Sequence, residues 1–402
     1  MPLKAPAGGF SYGMLLLITC GVGFLTFFGS YMRIPIVPLY AGSLGADALQ
    51  VGIINGSFLF VTGILSLPMG LLSDRTGRKV LILWGLIVSI ITAFLLYTCR
   101  TPGQLMLVYL FFGIGQAAFA PTMMSYVADF SPPTHIGRTY GWYTLAIYVG
   151  MSTGPASGGL VAHRLGYPAV FLCSGGLLLL VLAGTLFFLP RARTIALLRP
   201  PRLPFREAAG EVLRSPGLLA CWLVTLGACM GTGTFITFVP LHASELGISV
   251  GHIGLIFAAQ ALSNALSRIP FGYLSDRTSN RSHLVVGGLM GFALCMAGLG
   301  MATHIFAFLA AAAGLGFCMG IGFTAIGALM TELVSPGCRG FAMGGYNSAI
   351  YLGMMLGSLV MGAVVKEIGF KNGFLLIGLV NVLVTGGFHV IFRRILPGST
   401  SL

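Results

Sequence analysis

Long apolar runs broken by short polar punctuation make up this chain. Residues 48–69 and 80–99 carry no charge, yet the ten residues between them, GLLSDRTGRK (70–79), hold Asp74, Arg75, Arg78 and Lys79. The runs do not alternate with period two, as the strands of a membrane barrel would. Each approaches or exceeds the about 20 apolar residues a helix needs to cross hydrocarbon. The pattern predicts twelve spans, at 12–41, 47–71, 80–99, 103–128, 138–162, 167–189, 217–241, 250–273, 283–302, 305–331, 338–365 and 370–393. The expected fold class is an all-α membrane protein with twelve transmembrane helices.

Composition agrees. Only 8% of the 402 residues are charged, against roughly 25% in a soluble globular protein, and the mean hydropathy is +0.94. So little charge cannot cover a water-facing surface, so lipid is the expected solvent. The net charge of +13 does not point to nucleic acid, because the cations fall in loops rather than among aromatics on one face. The eight Cys are scattered through apolar runs with no CxxC pair and no metal spacing, and they read as small buried hydrophobes. No metal and no cofactor are expected. Lys4 and the apolar run from Met14 read as a first span rather than a cleaved leader.

Loop cations set the expected orientation. With the N-terminus inside, the cytoplasmic segments carry Lys4, Arg75, Arg78, Lys79, Arg138, six Arg between 191 and 214, Arg277, Arg281, Arg339, Arg393 and Arg394. The outer loops carry Arg100, Arg164, Lys366 and Lys371. Both termini are therefore expected in the cytoplasm. The polar stretch 191–216 is read as a basic linker between residues 1–190 and 217–402. Part of it, FREAAGEVLRS (205–215), suits a short amphipathic helix on an anionic leaflet.

The two segments repeat each other. VPLYAGSLG (37–45) returns as VPLHASELG (239–247), and Pro68, Gly70 and Asp74 map onto Pro270, Gly272 and Asp276, all at an offset of 202. AIYVGM (146–151) returns as AIYLGM (349–354), and Asp129 as Glu332, at 203. Two parallel six-helix repeats are one plan of transporters, with the substrate site at midplane between them.

GLLSDRTGRK resembles the GxLxDRxGRK signature of the major facilitator superfamily, and GYLSDRTSNR (272–281) is a weaker copy at the place the family expects it. GMSTGPASGG (150–159) resembles the GxxxGPxxGG signature of the antiporter branch, and DFSPPTHIGR (129–138) resembles the family's fourth-to-fifth loop. The resemblance covers the whole chain. It implies a secondary transporter with rocker-switch alternating access and, through the antiporter signature, efflux of a small organic solute. It also implies a cytoplasmic latch made by Asp74 and its copy Asp276, for which Asp129, Arg138, Glu332 and Arg339 are partners on the same side, with Arg75 and Arg277 as further gating candidates. Asn280 stands where the first copy has Arg78, which implies a looser second latch. The sequence departs from the pattern once: Tyr109 occupies the place of a fourth-span Arg tied to proton coupling.

The residues themselves say the following. Arg75, Arg78 and Lys79 anchor the chain on the positive-inside face, and Gly77 suits a turn with positive φ. Asp74 is not explained by anchoring. Pro155 kinks its helix, while Gly150, Gly154, Gly158 and Gly159 admit a close neighbour. Arg33 lies within a span, where a charge is costly and usually functional. It either snorkels or binds a helix carbonyl, or it serves substrate or an outer gate. Arg268 is read as an inner-edge gate or anchor. Ser30, Gln116, Met123, Tyr148, Thr234, Gln260, Asn264, Asn347 and Tyr351 are candidates for a substrate pocket, each against the alternative of an interhelical bond.

No catalytic set stands out, so the chain is not expected to be an enzyme. All nine acids fall at or near span ends, so a proton would have to use edge groups, Asp47 or Glu245 outside and Asp129 or Glu332 inside. Three functions compete: efflux of drug-like solutes, transport of an organic anion favoured by Arg33, and a receptor or assembly factor without transport. The expected setting is a bacterial inner membrane, with a small-molecule substrate, the lipid bilayer as partner, no nucleic acid, and a monomer.

Overall fold

The computed structural model describes residues 11–132, 135–190, 210–278, 280–335 and 338–395. Within them every element is a helix: α1 (Tyr12–Arg33), α2 (Ile36–Ser43), α3 (Ala48–Thr76), α4 (Arg78–Thr98), α5 (Pro102–Phe130), α6 (Ile136–Leu165), α7 (Tyr167–Phe188), α8 (Pro216–Glu245), α9 (Val250–Arg277), α10 (Arg281–Met301), α11 (Ile305–Leu333) and α12 (Arg339–Ile395). Ten stretches among the described residues have the length and apolarity to cross a membrane. One of these, Phe341–Ile395, is 55 residues long and breaks at Gly369, where φ is +73°. Helix α6 is 30 residues long but lies outside the ten.

Local chemistry sets the ends. Asp47 and Gln50 close a capping box at the start of α3, and Ser11, Thr101, Ser215 and Ser249 accept the N–H three residues on. Gly77, at φ +97°, makes the sharp turn from α3 to α4 without the steric cost a Cβ would bring. The first expected span is interrupted. Its regular helix stops at Arg33, and Pro35, which cannot donate a backbone N–H, precedes α2. The break at Ile34 and Pro35 thus falls inside the single span expected over 12–41.

The helices pack as two groups. In the first, α1 packs on α6 and α7, α3 on α5, and α4 on α5 and α7. In the second, α8 packs on α12, α9 on α11, and α10 on α11 and α12. The groups meet along two seams, α3 against α12 and α6 against α9. Small residues bring backbones into contact. A Cβ on Gly150 or Gly154 would lie 2.6 Å from the carbonyls of Phe24 and Phe28 in α1. The outward surface is apolar, with Leu17, Leu180, Phe187, Leu294, Phe306 and Leu383 exposed, as suits lipid.

Of the linker, only its last residues are described. Val212 is buried with Leu218, Val334 and Phe392. The Glu211 carboxylate accepts from the Cys338 thiol at 3.1 Å and the Ser335 N–H at 3.2 Å. These bonds, Cys338 first, hold its carboxyl below the usual carboxylate range. The amphipathic helix expected from residue 205 lies largely outside the described residues.

Candidate functional site

The seams are tightest at one end. At the end carrying the Gly45 and Gly247 turns, a Cβ on Gly52 would sit 2.5 Å from the Ser358 carbonyl, and one on Gly159 would sit 2.7 Å from that of Val250. Asn55 donates to Thr237 Oγ1 at 3.1 Å, and Thr237 shares a 2.8 Å bond with Ser358. At the other end, where the Asp74 and Asp276 turns lie, Gly70, Gly141 and Gly272 meet nothing within 4 Å. Toward that end the α3–α12 seam still touches at Gly344, where an added Cβ would lie 3.2 Å from the Leu67 side chain, and the backbone contacts of the first end are not repeated at Gly70, Gly141 or Gly272.

Midway along this seam both groups contribute tyrosines. Tyr31 of α1 is an electrostatic neighbour of Tyr148 and Tyr351, and Tyr346 of Arg268 and Tyr148. Arg268 joins them. Its Nε donates to Asn264 Oδ1 at 2.9 Å, and its guanidinium lies 4.5 Å over the Tyr148 ring of the opposite group. The Asn264 Nδ2 is buried without a partner. Gln116 donates to Ser30 Oγ at 3.3 Å within the first group, and Gln260, one turn before Asn264 on α9, approaches Met319 Sδ at 3.5 Å. The result is a partly buried patch with one cation, several ring faces and a spare amide donor at Asn264.

Other expected pocket residues lie elsewhere. Arg33 is fully buried inside the first group. Its guanidinium sits 4.1 Å over the Phe112 ring of α5 and donates a long 3.5 Å bond to the Ser89 carbonyl of α4. It faces the bundle interior, not the seam. Met123 is buried among Ile82, Leu86 and Phe119, Thr234 donates to the Gly357 carbonyl at 3.2 Å, and Asn347 is exposed. Tyr31 and Tyr346 were missed by sequence reading. The available signal was Tyr148 and Tyr351 repeating at 203, which marks the face but not its further aromatics.

The two charged turns yield a correction. Arg78 Nε bonds Asp129 Oδ2 at 3.0 Å, and Arg78 also donates to Ser73 Oγ. In the second group Arg281 Nη1 bonds Glu332 Oε1 at 2.6 Å, and Arg281 Nε donates to the Ser275 carbonyl at 3.1 Å. The copy of Arg78 is thus Arg281, not Asn280, because one extra residue enters the second turn and shifts the offset from 202 to 203. Asn280 instead caps α10 through Ser282. Both pairs tie helices of the same group. Arg75, Arg138 and Arg277 are exposed, and Lys79 donates to the Leu186 carbonyl at 2.7 Å. The side chains of Asp74, Asp276 and Arg339 lie outside the described residues, so the expected latch has no described geometry.

In α6, Gly150, Gly154 and Gly158 face α1, and Gly159 faces α9 across the seam, where the Pro155 carbonyl meets Gly254. The model of the Major Facilitator Superfamily matches residues 19–249 and 221–400. The chain belongs to this superfamily. It is a multi-pass membrane transporter protein, and its relatives are transporters rather than enzymes. It is 27% identical over 382 residues to the quinolone resistance protein NorA of Staphylococcus aureus, covering 90% of this chain and 94% of NorA. It is 25% identical over 368 residues to an uncharacterised transporter of the same type from Methanocaldococcus jannaschii, covering 90% and 92%. The multidrug resistance protein MdtG of Citrobacter koseri is 27% identical over 271 residues, 65% and 66% of the two chains. Among solved structures, a bacterial homologue of the human lysosomal transporter Spinster, inward-facing and unoccupied, superposes with a TM-score of 0.80 at 15% identity, over 96% of this chain and 98% of that one. A POT family transporter in complex with a thioalcohol-conjugated peptide gives 0.83 at 13% identity, over 97% and 99%. These two establish the fold.

Proposed function

We propose that this superfamily member is a secondary transporter that exports a neutral or anionic aromatic solute by rocker-switch alternating access. Twelve crossings follow if α1 with α2 counts as one, α6 as another, and α12 as two across Gly369. Residues 1–190 and 217–402 form the two rocking halves, joined by 191–216. By the loop cations the Asp74 end is cytoplasmic, so the structure is the inward-open state and the closed seam is the outer gate. The chain works as a monomer in a bacterial inner membrane.

The observation that carries the reading is Arg268. It is a half-buried cation, oriented by Asn264 from its own half and by the Tyr148 ring from the other. A solute carboxylate between them would gain a charge-assisted bond, and the tyrosines would stack on its ring. Export is supported by the likeness to NorA and MdtG, both named for drug resistance. Anion recognition is assigned to Arg268 rather than Arg33, which is enclosed in the first half. Three edge acids are already engaged: Asp47 in a cap, Asp129 with Arg78 and Glu332 with Arg281.

The test uses proteoliposomes loaded with a fluorescent aromatic anion, a neutral analogue or a dication. Arg268→Ala is expected to cut anion flux by about 10-fold or more, since one such bond is worth about 1.5–3 kcal/mol, while neutral flux falls less. Dication flux that exceeds anion flux and ignores Arg268→Ala defeats the claim. Orientation is checked separately in intact cells. A cysteine at Ser244 is expected to react with an impermeant maleimide, and one at Leu213 only after permeabilisation; the reverse pattern inverts the topology.

A further inference from the structure

We infer that the first helix group holds a small monovalent inorganic anion, chloride in a cell, at the Arg33 guanidinium. This site is separate from the solute site at the seam. Arg33 has no exposed surface. Its partner Ser89 is eleven residues into α4, about 16 Å along the helix from Arg78, so the charge lies deep in the bundle. The Ser89 carbonyl is a poor partner. It already accepts from Thr92 Oγ1 at 3.0 Å, and its bond to Arg33 is 3.5 Å long. Phe112 attracts the cation through its ring face but carries no countercharge. The nine acids of the chain all lie at or near the ends of the apolar runs.

Three groups are left over, and all are donors. Arg33 Nε and Nη1 and the Tyr109 hydroxyl are buried without partners, and Arg33 and Tyr109 are electrostatic neighbours. Buried charges are normally paired, because an unpaired one loses its hydration without return. Water would accept from these donors but would bring its own protons and leave the positive charge uncancelled. A halide accepts from all of them and cancels the charge. Full enclosure excludes an organic anion. The resident ion would set the charge of the half without taking part in solute recognition.

The test is thermal unfolding of the purified full-length protein, in sodium gluconate titrated with sodium chloride at constant ionic strength. A saturable rise in Tm of about 2–4 °C is expected for wild type, and none for Arg33→Met. Tyr109→Phe, which removes one donor and keeps the charge, is expected to need several-fold more chloride for half of the shift. In bromide-soaked crystals an anomalous peak is expected within hydrogen-bond distance of Arg33 Nε. Wild type indifferent to chloride overturns the inference, as does an equal shift in Arg33→Met. If Arg33→Met does not fold, a Tyr109→Phe titration identical to wild type, or bromide-soaked crystals with no such peak, overturns it. Loss of Arg268 is expected to leave the chloride response intact, so this inference and the proposed function fail independently.

Discussion

Arg78→Ala is expected to lower the stability of the protein by about 3 kcal/mol, while Arg281→Ala costs under about 1 kcal/mol. The two residues are copies, each starting a helix and each bonding an acid 51 residues on. Their surroundings separate them. The side chains of Arg78 and Asp129 are 6% and 15% exposed, those of Arg281 and Glu332 17% and 55%. Removing one partner of a buried pair leaves the other charge desolvated, whereas a half-exposed carboxylate is rehydrated at little cost. Asp129 keeps some residual exposure, so the loss falls at the low end of the usual range for buried pairs. Detergent-phase melting of both variants checks this, and the double variant Arg78→Asp with Asp129→Arg is expected to recover part of the loss. Equal effects at 78 and 281 would show that burial does not decide the cost here.

The same pair shows how far the sequence could be read. Spans were legible because lipid demands long uncharged runs, and the repeat because its offset is nearly constant. The change of offset from 202 to 203 between Asp276 and Tyr351 was also visible. It did not say where the extra residue enters, and only the ion pairs of the structure place Arg281, not Asn280, opposite Arg78. Arg33 was harder. A single Arg in an apolar run looks alike whether it faces lipid, a cavity or a neighbouring helix, and only the placement of Phe112 and Ser89 decides. Met123, buried among apolar neighbours, and Thr234, bonded to the Gly357 carbonyl, show the same limit: the sequence shows that a side chain can line a cavity, but not which of its helix's neighbours it faces. Tyr148, Arg268 and Asn264 were individually legible. Their convergence was not, because it depends on where α6 and α9 cross.

Gly254→Leu is expected to reduce transport by about 10-fold or more while leaving each helix group folded. Gly254 faces the other group at the closed end. Its added Cβ would press on the Pro155 carbonyl and lie 3.1 Å from Ala156 Cα. Backbone on both sides cannot give way as a flexible side chain would, so the seam must open by the width of the new side chain. The strain is specific to one state, since opening this end relieves it. A penalty of about 3 kcal/mol on the closed form is enough to shift the equilibrium more than 100-fold. Gly272 is the counterpart at the other end of the same helix and meets nothing within 4 Å in this state. Gly272→Leu is therefore expected to be neutral for the form described here and to penalise the form closed at the Asp74 end. Spin labels at Ser43 and Ser244 report the first end, and labels at Arg138 and Leu213 the second. In Gly254→Leu the first distance should lengthen and the second shorten, and Gly272→Leu should hold both near the wild-type values. If Gly254→Leu lengthens the first distance with the second unchanged, the halves do not rock as rigid arms, and access alternates by local gates instead.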